Sequence, residues 1–268
     1  MPGPIEILLD PVSLMALGIY AALIAWEALF PARALPHVRG WRLRGLAAFA
    51  CFFYLSSYLP LLWDAWLSQY QLFDLTGLDT ALAALGAVLV YEAGVYFWHR
   101  AMHGTESLWR VFHQMHHSAE RLDTFGAFWF SPADMIGWTL LGSLAMVLVV
   151  GITPEAATIA ILATFFLGTF QHANIRTPRW LGLFIQRPES HSVHHERGVH
   201  RFNFSDLPIF DILFGTFRNP RNFADVQGFY EGASSRVLEM IAFRDVSQPT
   251  PAPDIDSVPD AGASVTAK

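Results

Sequence analysis

The sequence predicts an all-α, polytopic membrane protein with four to five transmembrane helices and a histidine-rich helical cap on the cytoplasmic side. Three observations carry that expectation: long apolar blocks, basic residues confined to alternate loops, and histidines gathered at one end of the blocks. The 268 residues are 53% hydrophobic and 15% charged, with 22 Phe and 9 Trp, and the mean hydropathy is +0.34. That is more apolar surface than an ordinary soluble core absorbs.

The blocks come in order. Residues 11–30 hold one charge, residues 45–63 none, residues 80–98 one, and residues 135–153 none. A helix needs about 20 apolar residues to cross the hydrocarbon core of a bilayer, and these four blocks meet that need. A fifth, 156–171, is uncharged but shorter, and whether it spans fully is left open. Buried helices of a soluble bundle are the alternative, but such helices normally keep a polar face, and these blocks are apolar all round.

Arg33, Arg39, Arg42 and Arg44 lie between the first two blocks, Arg100, Arg110 and Arg121 between the third and fourth, and all other basic residues after the fifth. The remaining segments carry Glu6, Asp10, Asp64, Asp74, Asp79 and Glu155. By the positive-inside rule the N-terminus is expected outside and the C-terminus in the cytoplasm, in the inner membrane if the source is bacterial. No basic stretch precedes the first block, so it does not read as a cleavable secretory signal. Cys51 stands alone, which excludes an intrachain disulfide and a multi-cysteine metal site. The Arg residues form no basic helix, so nucleic acid is not an expected partner. Residues 246–268, rich in Pro, Ser, Asp and Ala, are expected to be a disordered tail.

Nine of eleven histidines fall in four groups, all on the cytoplasmic side of this topology: His99 and His103; His113, His116 and His117; His172; and His191, His194 and His195. Positions i, i+3 and i+4 share a helix face, so each group can point its imidazoles one way. One i, i+4 pair is usually an ordinary surface pair. Two triplets and a pair on one membrane face are not, and they read as metal ligands. Nine imidazoles exceed the needs of one ion, and the adjacent histidines of a triplet splay apart, so two ions is the simplest count. Imidazole alone does not choose among Zn, Cu, Fe and Ni. His37 and His200 fit no spacing and are expected to be ordinary polar residues. Glu27, near the end of the first block, is expected to snorkel to the interface.

The ordered pattern H-x3-H, H-x2-H-H, an isolated His and H-x2-H-H resembles the fatty acid hydroxylase/sterol desaturase superfamily of membrane di-iron oxygenases. "LWRVFHQMHHSAERLD" (108–123) is similar to the family's second box. "QHANIRTPRWLG" and "HSVHHERGVHRFNFSDLPIFDILFGTF" are similar to its third region, with Asn203-Phe204 after the box and a closing "FDILFGT". The resemblance covers roughly 80–220, and residues 1–75 match only as hydrophobic spans. Ser131-Pro132 stands where many members carry His-Pro. Gly168 and Arg176 stand where some members add a histidine, so one coordination site falls to water or to a neighbour such as Asn174.

The resemblance implies two Fe ions held by the nine histidines, and O2 as co-substrate. It implies hydroxylation or desaturation of an unactivated C–H position of a lipid, whether sterol- or hopanoid-like or fatty acyl. Zinc is the expected substitute where purification exchanges the metal. Reducing equivalents would come from a separate donor of cytochrome b5, ferredoxin or reductase type, docked on a cytoplasmic surface that includes Arg110, Arg121 and Arg179. The alternative from another class is a histidine-rich metal-binding protein or transporter, which would need polar residues through several spans. Glu92, seven residues before His99, is a candidate to bond an imidazole's free nitrogen or to line the substrate tunnel. Asn203 and Asp211 are candidates for the same supporting role through the resemblance alone. The expected organisation is 1–79 as N-terminal spans, 80–220 as the histidine-box catalytic domain, 221–245 as a cytoplasmic extension and 246–268 as the tail.

Overall fold

The computed structural model describes residues 1–249. A short α1 (Pro4–Leu9) leads into α2 (Pro11–Leu29), then α3 (Trp41–Tyr58), α4 (Pro60–Leu67) and α5 (Thr80–Gly104). Four long helical segments are apolar enough to cross a membrane: Pro11–Leu29, Trp41–Tyr70, Thr80–Gly104 and Pro132–Val149. The fifth apolar helix, Pro154–Phe170, has 17 residues. Their outward faces expose Leu14, Leu62, Leu82, Phe97 and Ile136. Such a continuous apolar exterior belongs in lipid rather than water, and the protein is a membrane protein.

The helices begin where local chemistry demands. Asp10, Asp79, Ser131 and Thr153 each accept a backbone N–H of the first turn, capping α2, α5, α8 (Pro132–Ser143) and α9 (Pro154–Phe170). Pro11, Pro132 and Pro154 occupy the first turn, where the missing N–H costs nothing. Pro60 ends α3 and starts α4 within one long segment. Two-residue parallel strands, Phe73–Asp74 and Val150–Gly151, clip the α4–α5 loop to the α8–α9 connection.

The cap is built from short helices after α5: α6 (Glu106–Leu108), a π-helical turn at Trp109–His113, α7 (Gln114–His117), α10 (Pro188–His194), α11 (Ile209–Leu213) and α12 (Val237–Ile241). Trp41 and Trp129 anchor its core with Met115, Met240 and Val246, and Trp41 Nε1 donates to Asp123 Oδ1 at 2.8 Å. Gly45 of α3 is required by close approach, since a Cβ there would collide with the Phe125 carbonyl. Val246, expected to open the tail, is fully buried, and its N–H bonds Gln114 Oε1 at 3.3 Å. The rest of the expected tail, from residue 250, lies outside the described residues.

Candidate metal centre

The histidines arrive in groups on different kinds of support. His99 and His103 sit one turn apart at the end of α5. His113 closes the π turn, and His116 and His117 end α7. His172 follows α9, and His191, His194 and His195 occupy α10 and its cap. The packing sorts them into two clusters, His99, His103, His113, His117 and His194 in one, and His116, His172, His191 and His195 in the other. Within each cluster one nitrogen per ring lies within 4.8 Å of all the others. Adjacent residues part company as their helical directions require: His116 from His117, and His194 from His195.

The donor set fits metal ions. Nε2 atoms approach pairwise at 2.8 Å (His99–His113), 3.0 Å (His117–His194, His116–His172 and His172–His191) and 3.1 Å (His191–His195). Two nitrogens each about 2.1 Å from one ion, at roughly 90° to each other, lie about 3.0 Å apart. Hydrogen bonding alone does not account for this. An Nε2 offers one in-plane proton or one lone pair, yet His172 and His191 each face two neighbours. A shared cation satisfies all of them at once.

The outer nitrogens set the tautomers. Nδ1 of His99 donates to the Phe204 carbonyl at 2.7 Å, that of His194 to Phe202 at 2.8 Å, and that of His172 to Gly168 at 2.6 Å. His113 Nδ1 meets Asp134 Oδ2 at 3.1 Å. Each proton held outward leaves an Nε2 lone pair pointing inward, the arrangement of metal-bound imidazoles. Burial first, and crowding by other imidazoles second, hold His113, His116, His117, His191, His194 and His195 well below the usual histidine range. Burial brings His172 down to about 4. These rings are neutral at pH 7, as ligands must be.

The supporting residues differ from expectation in four places. Glu92 does not touch an imidazole. Its Oε2 accepts from Ser205 Oγ (2.9 Å), Asp206 N (2.9 Å) and Leu207 N (3.1 Å), because a buried carboxylate binds the nearest donors, and those belong to a loop. Asn174 offers its side-chain N–H to the Arg33 carbonyl at 2.8 Å rather than serving the histidines. Glu27 is not an interface residue. Its Oε2 collects Thr124 N and Oγ1, both at 2.8 Å, and Asn174 N at 3.0 Å, tying α2 to both histidine-bearing loops. His200 is no ordinary surface histidine. Half-buried, its ring lies 4.8 Å from that of His117 and 5.4 Å from Trp109, while His37 is exposed.

Asn203 and Asp211 organise the loop that faces His99. Asn203, left-handed at φ 60°, ties Ser190 O to Arg218 O through its amide at 2.8 and 3.0 Å. Asp211 accepts Phe204 N and Ser205 N at 2.9 Å each, which aims the Phe204 carbonyl at His99. Its carboxyl is pushed up by burial. Asp134 was missed by sequence reasoning: with Ser131 as cap and Pro132 behind it, an acid at this position reads as a plain helix start. Arg110 pairs with Glu106 and Arg121 with the buried Asp123, so the charge these two offer a docking partner is partly spent, while Arg179 donates to the neutral Asn219 carbonyl.

A cavity of about 710 Å³ reaches the clusters from among the long helices. Phe49, Phe53, Val95, Phe128, Met146 and Ile161 wall it, and His99, His113, His116, His172 and His191 line it. At its other extreme it touches Glu6, Asp10 and Asp64.

Comparison with known proteins places these features in a family. The fatty acid hydroxylase family matches residues 84–216. An ornithine lipid hydroxylase of Rhizobium tropici is 36% identical over 141 residues, 51% of this chain and 41% of its own. A very-long-chain aldehyde decarbonylase of Oryza sativa subsp. indica is 28% identical over 140 residues, 51% of this chain and 54% of its own. The alkylglycerol monooxygenase of Homo sapiens is 29% identical over 167 residues, 61% of this chain and 35% of its own. The matches thus span about half the length of these curated relatives, or less. No solved structure matches the chain.

Proposed function

This chain belongs to the fatty acid hydroxylase family, and we propose from that premise that it is a di-iron, O2-dependent membrane oxygenase. It hydroxylates or desaturates an unactivated C–H position of a lipid. The observation that carries this reading is the meeting of two histidine clusters with one largely apolar cavity. A hydrocarbon chain lying in that cavity packs along its apolar wall and presents carbons to the metal ligands at its end.

All nine box histidines would hold the metal pair in this reading, His99, His103, His113, His117 and His194 at one ion and His116, His172, His191 and His195 at its neighbour. An iron pair bound there supplies O2 activation and C–H cleavage, chemistry that no side chain performs. The protein's part is positioning. Asp134 and the Phe202, Phe204 and Gly168 carbonyls hold imidazole protons outward. Phe128, Phe130 and Trp138 line the cavity beside the ligands and keep water from the reacting end. Catalytic machinery runs over 80–220, while 1–79 supplies cavity wall through Val12, Phe49 and Phe53. The N-terminus lies outside, the C-terminus in the cytoplasm, and a separate electron donor docks at the cytoplasmic cap.

The test compares host lipids with and without the gene by mass spectrometry. A lipid gaining one oxygen assigns hydroxylation, and one losing two hydrogens assigns desaturation. An unchanged lipid profile under aerobic growth with the metal-loaded protein present overturns the reading.

A further inference from the structure

The cavity wall is chiefly apolar, yet its metal end holds two polar side chains, Gln171 and Asp206, each with one oxygen that accepts no hydrogen bond from the protein. Gln171 is 6% exposed, and it lines the cavity immediately before His172 in sequence. Its Nε2 donates to Asp206 Oδ1 at 2.6 Å. A carboxylate oxygen accepts in that pairing, so the amide orientation is fixed. Its Oε1 then meets no protein donor. Asp206 also lines the cavity. Its backbone is clamped on both sides, N–H to Glu92 Oε2 at 2.9 Å and C=O from Gln186 N at 2.7 Å, and its side chain is held by the Gln171 amide. Its Oδ2 points toward Gly168, itself part of the cavity wall, and takes no hydrogen bond from the protein.

A buried acceptor left without a donor is costly. Gln171 Oε1 is such an acceptor, and with Asp206 Oδ2 of the half-buried neighbouring side chain at the end of a hydrocarbon tunnel it works against binding of a plain alkyl chain. We infer that Gln171 and Asp206 form a hydrogen-bond-accepting subsite that selects a lipid bearing a hydroxyl or N–H close to the carbon that is oxidised. The inference rests on the oxygenase reading and adds a substrate class to it. The lipid enters with its functionalised segment toward the histidines, its O–H or N–H donating to Gln171 Oε1 or Asp206 Oδ2. That bond fixes how far the chain advances, and so which carbon faces the metal pair. Glu92 contributes at one remove, because its three bonds to residues 205–207 hold Asp206 in place.

The experiment is a binding competition on metal-loaded protein in detergent. Hexadecanol, hexadecyl methyl ether and hexadecane are offered at equal concentration, and retained probe is counted by mass spectrometry. The ether keeps an oxygen but cannot donate, so it separates hydrogen-bond donation from polarity. The subsite predicts that hexadecanol is retained about tenfold over both competitors, as one matched buried hydrogen bond allows. In the variant Gln171→Leu with Asp206→Leu the ratio falls to near one, with metal content and total bound probe maintained. If that variant fails to fold, Asp206→Leu alone decides, with at least a threefold drop expected. Equal retention of the three probes by the wild type, or a tenfold preference surviving the substitutions, overturns the subsite and leaves the oxygenase reading intact. Retention of none of the three overturns both.

Discussion

The two histidine clusters are built from the same motifs yet supported differently. In the five-histidine cluster, His99, His113 and His194 each hand the outer proton to a fixed acceptor, and one of those acceptors is a carboxylate. In the four-histidine cluster only His172 does so, through Gly168, while Nδ1 of His116 and His191 meets no protein partner; in the five-histidine cluster Nδ1 of His117 also meets none. The four-histidine cluster is also the more involved with the cavity, contributing three lining residues to the other's two. One site is therefore oriented by its surroundings, the other by its position against the substrate space.

The largest expected effect breaks both clusters together. His194→Ala with His195→Ala removes one ligand from each, and metal content falls from two ions per chain to near none, measured by elemental analysis on folded protein. His172→Ala strips only the four-histidine cluster and is expected to leave about one ion. Loss of both from that single change would show that the clusters are not separable sites.

Asp134→Asn sharpens the comparison. It leaves the shape of the side chain but removes the carboxylate behind His113, and supporting groups of this kind are worth about 10- to 100-fold in metal affinity. Competition with a chelator should release one ion earlier and the other unchanged. Equal weakening of both would contradict the assignment of Asp134 to one cluster. Asp211→Asn acts a step further away, through the Phe204 carbonyl. It is expected to cost about 1–3 kcal/mol of stability, read as a lowered thermal midpoint, with both ions retained.

The smallest effect is a pH dependence. The histidines of the metal-free protein are held below their usual range by burial, so the unfolded chain binds more protons below about pH 6.5. Stability is then full above that value and declines as pH falls toward the folded-state values, about 4 for His172. A thermal midpoint of the metal-free protein that rises on acidification from pH 7 to 5 would contradict the neutral, buried state of these rings.

The spans and the nine histidines were legible because each is written in local spacing: apolar runs of membrane length, and H-x2-H-H twice. Their division into five and four was foreshadowed by the splay of adjacent residues. Asp134 was not legible, since it meets His113 across 21 residues of chain and only the packing of α8 against the π turn brings them together. Glu27 was expected at the interface and Glu92 near the imidazoles, but both are held mainly by backbone N–H groups of distant loops, with one hydroxyl each, and backbone donors carry no sequence signature. His200 escaped because a left-handed residue in a loop, at φ 40°, belongs to no periodicity.

The most direct test of the two-metal account is the metal count of freshly purified, folded protein, taken with the His194→Ala, His195→Ala variant beside it. The account predicts close to two irons per chain in the first and almost none in the second. Folded wild-type protein that retains no metal, or that holds one ion unaffected by the paired substitution, would contradict it.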